Sequence, residues 1–265
     1  YSKLEKKNNP FLFFAQKNNI LVIADNISKL YAINISTGEL IWSKNHSSAF
    51  NSEIKISGDN FYVSDLNNLI MCISIKTGEQ RWSFQSEYKF IKTLNKTSIV
   101  LDNNAVYFLN SVGDLTALDI RKGFLKWQIS NQNNTLFNKY FLNQNSKVVM
   151  YDDSIFFSNN NELYSIDKTN GFLKWKKKVQ TVLSPIIADK YLFIVTSNNF
   201  FVILDKSTGK ILRSNFILKD FNPKKIKNIY PNGFVASIKK IYLSMNNGEL
   251  LTIDIKNGTT SNRVK

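Results

Sequence analysis

Covalent staples and titratable switches are almost absent from this chain. Its 265 residues include one cysteine, Cys72, and one histidine, His46. A lone thiol excludes an internal disulfide framework and any multi-cysteine metal site within the chain. Between Met71 and Ile73, Cys72 reads as a small buried hydrophobe in a strand. Apolar runs long enough to span a bilayer, about 18 residues, are also lacking. The longest candidate, around Tyr191 to Leu204, is interrupted by Thr196, Ser197, Asn198 and Asn199. The chain opens on Tyr1 with no charged-then-apolar leader, so any export signal is expected to have been removed, or the chain is a segment of something longer. Motif-borne catalysis is missing too. No Walker-type loop, Gly-x-Gly-x-x-Gly, His-Glu-x-x-His or Gly-x-Ser-x-Gly elbow occurs. His46, in Lys-Asn-His-Ser-Ser, is expected to be solvent-exposed.

Acidic residues are scarce relative to basic ones, 20 against 35, for a formal charge of +15. Such a surface attracts nucleic acid, anionic lipid or an acidic partner. A composition heavy in Asn, Lys and Ile gives the same balance without any partner, and the lysines fall mostly at turns and alternate strand positions. The densest cluster is Lys174, Lys176, Lys177 and Lys178 around Trp175. With 43% hydrophobic residues, the chain has enough apolar material for a sizeable core.

What the sequence does contain is a repeat. An apolar strand leads to an Asp-like residue, a turn ends in Gly, and Trp follows four residues later. The turn glycines are Gly38, Gly78, Gly123, Gly171, Gly209 and Gly258, spaced by 40, 45, 48, 38 and 49 residues. Trp42, Trp82, Trp127 and Trp175 complete the first four copies, whereas Arg213 and Asn262 occupy that place in the last two. The period is that of a four-stranded propeller blade. Thr-Gly or Asn-Gly supplies the positive φ of a tight hairpin. Asp119, Asp167, Asp205 and Asp254 are expected to accept N–H bonds within their own turns. Each Trp is expected to lie on an outer strand and dock on the neighbouring blade, a structural role.

Upstream of each phrase two more short strands can be read, and no segment has helical periodicity. The predicted organisation is a polar lead-in, 1–9, and one all-β propeller domain or arc, 10–265. Its six four-stranded antiparallel blades cover about 10–46, 52–86, 96–130, 147–180, 183–217 and 233–265. Two connections are long. The first, Asn131 to Ser146, carries Phe137, Tyr140 and Phe141, and the second, Lys219 to Asn232, carries Phe221 and Tyr230.

The phrase resembles the tryptophan-docking repeat, Ala-x-Asp-x-x-Thr-Gly-x-x-x-Trp, of quinoprotein-like β-propellers with PQQ-type repeats. Two branches of that family matter: the PQQ-dependent dehydrogenases, and the BamB lipoproteins of outer-membrane β-barrel assembly. Both typically have eight blades, so either the ring closes with six here or, as the resemblance favours, the six belong to a larger ring. The dehydrogenase branch implies a quinone, a bound calcium, a catalytic carboxylate and often a disulfide of adjacent cysteines. Cys72 alone cannot form that pair. Four of the 13 Asp residues belong to the turn phrase, and the one adjacent acidic pair, Asp152-Asp153, falls at a hairpin turn.

The reading that follows is a non-catalytic, protein-binding scaffold of the BamB kind, with no catalytic, cofactor or metal residues. It implies a periplasmic location at the outer membrane of a Gram-negative bacterium, with a lipid anchor absent from this chain as the only membrane attachment. Its partners would be the barrel-assembly subunit BamA and nascent outer-membrane proteins, with no nucleic acid. The alternatives are a PQQ-dependent dehydrogenase-like quinoprotein, or a basic propeller that binds nucleic acid or an anionic surface. The contact loop of the BamB branch has no residue-by-residue match here. Phe137, Tyr140, Phe141 and Tyr230 are therefore nominated as partner contacts from loop length and aromaticity.

Overall fold

Short apolar stretches separated by Asn, Asp and Gly favour strands and tight hairpins over helices. The computed structural model describes residues 10–86, 96–130, 147–159, 161–179, 181, 183–219, 221–222 and 226–265. Those residues form six four-stranded antiparallel sheets and one 3-10 turn, Ile226–Asn228. The chain divides into two compact units, Tyr1–Asn143 and Gln144–Lys265.

The first unit holds three sheets. Strands β1 (Leu12–Lys17), β2 (Ile20–Asp25), β3 (Lys29–Asn34) and β4 (Leu40–Asn45) make the first. The second comprises β5 (Lys55–Ser57), β6 (Asn60–Ser64), β7 (Leu69–Ser74) and β8 (Gln80–Gln85), and the third β9 (Ser98–Leu101), β10 (Ala105–Leu109), β11 (Leu115–Asp119) and β12 (Leu125–Ile129). In the second unit the fourth sheet is β13 (Val149–Tyr151), β14 (Ser154–Asn159), β15 (Glu162–Asp167) and β16 (Leu173–Lys177). The fifth is β17 (Ile186–Ala188), β18 (Tyr191–Val195), β19 (Phe200–Asp205) and β20 (Ile211–Phe216). The sixth is β21 (Pro231–Ala236), β22 (Lys240–Met245), β23 (Leu250–Asp254) and β24 (Thr260–Val264). Within each sheet the strands lie side by side in chain order, so every connection is a hairpin. The fold class is all-β, of the β-propeller type.

The middle strands of the second, third and fifth sheets are buried on both faces and read as continuous apolar runs, whereas β22 of the sixth alternates between exposed and buried residues. Side chains alternate across a strand, and here each face feeds a different core. Phe61, Val63, Met71 and Ile73 of the second sheet pack with Val22, Leu30 and Phe50 on the side of the first. Tyr62, Ile70 and Cys72 pack with Val106, Phe108 and Leu118 of the third. The fifth sheet divides in the same way. Leu192, Ile194, Val202 and Leu204 join Phe156 and Leu163 of the fourth, while Phe193, Val195, Phe201 and Ile203 join Ile241, Leu243 and Leu251 of the sixth.

In all six sheets the ladder between third and fourth strands slips by one residue. In the first, Ala32 faces Trp42 and Ile33 faces Leu40, leaving Ile41 as the extra residue. A bulge at this place bends the outer strand and re-aims the side chain beside it. That side chain is the repeat tryptophan.

Candidate functional site

The turn before each outer strand is closed by the backbone. The glycine N–H donates to the carbonyl four residues back, on Asn34, Ser74, Asp119, Asp167, Asp205 and Asp254, at 2.8–2.9 Å. The residue at that carbonyl also closes the turn with its side chain. Asp205 Oδ1 accepts the N–H groups of Ser207 at 3.0 Å and Thr208 at 2.9 Å, together with both hydroxyls at 2.6 and 2.9 Å. Bonds from the Ser207 hydroxyl and the Thr208 peptide hold this carboxyl down to about 2. Asp119 is lowered chiefly by the Lys122 N–H, and Asp167 by the Thr169 hydroxyl. In the first two repeats Asn34 and Ser74 make comparable bonds without a charge.

This difference has a measurable consequence. Because the folded Asp205 carboxyl titrates below an unfolded one, its contribution to stability is complete above the ordinary carboxylate range. The contribution fades as pH falls from about 4 towards about 2. Urea midpoints for the unchanged protein and Asp205→Ala should therefore be well separated at neutral pH and converge by about pH 2. A separation that stays constant with pH would contradict the assignment.

The indoles then join one sheet to the next within each unit. Trp42 Nε1 donates to the Ile75 carbonyl at 2.8 Å, Trp82 to Ile120 at 3.1 Å, and Trp175 to Lys206 at 2.9 Å. Each acceptor lies three residues before the turn glycine of the following sheet. A Cβ on that glycine would meet the ring at 2.8 Å at Gly78, and at 2.6 Å at Gly123 and Gly209. Trp127 faces Ala117 in its own sheet, with its ring centroid 5.9 Å from that of Tyr107.

The last two repeats depart from the plan. Arg213 stands opposite Ile203, as Trp175 stands opposite Ser165, but it is exposed and makes no such dock. Asn215, two residues on and hence on the same side of β20, takes over. Its Nδ2 donates to the Asn257 carbonyl at 3.0 Å and lies 2.8 Å from a Cβ built on Gly258. Sequence spacing alone pointed to Arg213 and missed Asn215. Asn262 faces Thr252 on β24 and is exposed.

His46 corrects the expectation of a solvent-exposed side chain. It is 19% exposed and its Nε2 lies 3.1 Å from Oδ2 of Asp65, whose side chain is 1% exposed. The His46 ring also stacks on Phe50, and Asp65 Oδ1 accepts the N–H groups of Asn67 and Leu69. The pair ties the end of β4 to the β6–β7 turn. The thiol of Cys72 is pushed up to about 11 by burial, so it is unionised at neutral pH. Asp152 and Asp153 form the β13–β14 hairpin turn, with Asp152 at φ 52°. Asp152 pairs with Lys206 at 3.1 Å, and Asp153 with Lys174 at 2.7 Å.

Of the nominated contacts, Phe137, Tyr140 and Phe141 lie outside the described residues. Tyr230 is 58% exposed just before β21, fixed by its N–H to Asn246 Oδ1 at 2.9 Å. Phe221, in the same connection, is buried beneath the Arg263 guanidinium, 3.9 Å from its ring centroid. The second unit also has an open groove of about 520 Å³ along the fifth sheet. Phe200, Val202 and Ile211 form its apolar part, and Ser197, Asn198 and Lys178 are among its polar lining. Among the described residues no group of three or more His, Cys, Asp or Glu side chains is placed to hold a metal ion.

Four-stranded sheets in chain order, a bulge before the outer strand, and indoles seated on the next sheet's turn glycine define a β-propeller built from PQQ-type repeats. The family model described as outer membrane protein assembly factor BamB matches residues 5–215. The chain belongs to that family. Solved structures share the fold at low identity. BamB from Moraxella catarrhalis is 17% identical with a TM-score of 0.79, over 96% of this chain and 76% of that one. Quinohemoprotein alcohol dehydrogenase from Comamonas testosteroni is 12% identical with a TM-score of 0.71, over 95% and 60%. A europium-containing methanol dehydrogenase is 10% identical with a TM-score of 0.66, over 98% and 74%. No match was found among curated proteins.

Proposed function

We propose that the chain is a non-catalytic protein-binding scaffold, an accessory subunit in outer-membrane protein assembly. The observation that carries this reading is the BamB family match across 5–215, a span that takes in the first four sheets and all but the last residue of the fifth. The repeat chemistry is compatible with it. The turn carboxylates are engaged by their own backbone, and the indoles of Trp42, Trp82 and Trp175 by neighbouring sheets. Loops at the sheet ends are left to meet partners. The partners are the barrel-assembly subunit BamA and nascent outer-membrane proteins, and the location is the periplasmic face of the outer membrane. Residues 10–265 act as a single propeller domain in this reading.

Phe137, Tyr140, Phe141 and Tyr230 are the proposed contacts. Tyr230 is exposed, and aromatic side chains are the usual anchors of such interfaces. The test is capture of the chain by immobilised BamA periplasmic region. Retention of the unchanged protein is expected, with roughly tenfold weaker binding for Tyr230→Ala. No retention of the unchanged protein would remove BamA as the partner. Full retention by Tyr230→Ala would remove Tyr230 from the contact.

A further inference from the structure

We propose that the outer edge of the fourth and fifth sheets is a docking surface for an anionic lipid bilayer. The observation is a pair of exposed apolar dipeptides on either side of one indole dock. Phe172 and Leu173, 73% and 52% exposed, lie just before Trp175 at the entry to β16. Ile211 and Leu212, 50% and 43% exposed, lie just after Gly209, the glycine that Trp175 covers. Ile211 continues into the groove beside Phe200. Large apolar side chains gathered this way on a surface mark an interaction site more often than scattered ones do.

The charge around them has one sign. No acidic residue occurs between Asp167 and Asp189, or between Asp205 and Asp220, whereas nine lysines and arginines do. Lys174, Lys176 and Lys206 are held in ion pairs with Asp153, Glu162 and Asp152. Lys178, Lys210, Arg213 and Lys219 are exposed. Exposed apolar pairs also follow the turn glycine in the first and third sheets, Leu40-Ile41 and Phe124-Leu125, but in the second sheet Glu79-Gln80-Arg81 has mixed charge. Among the described residues, only the fourth and fifth sheets therefore form two such pairs about an indole seen docked. Phosphate contacts to a nucleic acid need only the charge, and of the four apolar side chains only Phe172 offers a face on which a base would stack. A bilayer uses both, with apolar side chains at the acyl boundary and basic groups among anionic headgroups. This surface is independent of the assembly role.

Flotation with vesicles of phosphatidylcholine mixed with phosphatidylglycerol, against phosphatidylcholine alone, tests it. The unchanged protein should float with the anionic vesicles and lose that association as salt rises. Lys210→Glu combined with Arg213→Glu should weaken binding at least roughly tenfold. Phe172→Ser combined with Leu212→Ser should do the same. All four positions are exposed, and far-UV circular dichroism checks that the sheets persist. Equal binding to both vesicles would overturn the proposal, whatever the variants do. An apolar variant that binds like the unchanged protein, alongside equally tight binding of a short single-stranded DNA, would reduce the surface to a basic patch and overturn it as well.

Discussion

Replacing Trp82 by Ala is expected to lower the unfolding free energy by about 3–5 kcal/mol, the range for removing a packed indole. The ring is 8% exposed, covers Gly123 of the next sheet and lies 5.8 Å from Tyr62. Truncation leaves a cavity in the core shared by the second and third sheets, where Ile70, Cys72, Val106 and Phe108 meet. Rigid strands on both sides limit collapse into that space. Against a total stability of about 5–15 kcal/mol, the loss is a large fraction. Trp82→Phe should cost less, about 1–2 kcal/mol. It keeps a ring on Gly123, and the Ile120 carbonyl retains its second donor, the Tyr62 hydroxyl at 3.2 Å. Urea unfolding followed by circular dichroism checks both. A Trp82→Ala cost below about 1 kcal/mol would mean that the indole does not hold the sheets together.

The second large effect is expected at Gly209. Ala there has two problems, of which a turn glycine in open space shares only the first. Its φ of +66° is left-handed, a conformation that costs a side-chain-bearing residue about 1–2 kcal/mol. The new Cβ would also stand 2.6 Å from two atoms of the Trp175 ring, so the ring must leave its seat. The total should approach the loss of the indole itself, about 3–5 kcal/mol. Gly38 provides the internal control. Its φ is +75°, but nothing lies within 4 Å of an added Cβ, so Gly38→Ala should cost only the conformational part, about 1–2 kcal/mol. The cycle of Gly209→Ala with Trp175→Ala should be strongly non-additive, because the clash disappears with the ring. Equal costs at Gly38 and Gly209 would contradict the dock.

The parts of this architecture that were legible in the sequence are those written within a few residues. The turn glycines, the carboxylates that close the turns, and the indoles four residues on are set by local hairpin geometry. The spacing of such phrases was enough to give six sheets of four strands. What escaped depends on the adjoining sheet. Asn215 and Arg213 sit on one side of β20, and only the position of the Asn257 carbonyl selects Asn215. His46 and Asp65 are 19 residues apart and meet because the end of β4 lies against the β6–β7 turn. Neither neighbourhood leaves a periodic trace. Phe221 was read as a loop aromatic, yet it packs into the core under Arg263, whose guanidinium also chelates Glu249 at 2.8 and 2.6 Å. For the candidate partner site, only Tyr230 among the nominated residues falls in the described part of the chain.

Tandem modules cut to one plan carry a risk of misassembly, because a tryptophan that reaches the wrong hairpin still meets a slot made for it. The join between the fifth and sixth sheets escapes that ambiguity. Around Gly258 the slot is taken by the Asn215 amide, with Ile203 and Phe201 beside it. Once the fifth sheet is seated, an indole from an earlier repeat finds no vacancy there, and Asn215 is too short to fill a seat shaped for an indole. A key of a different shape from the indoles before it gives the chain a fixed point from which the order of its modules can be counted.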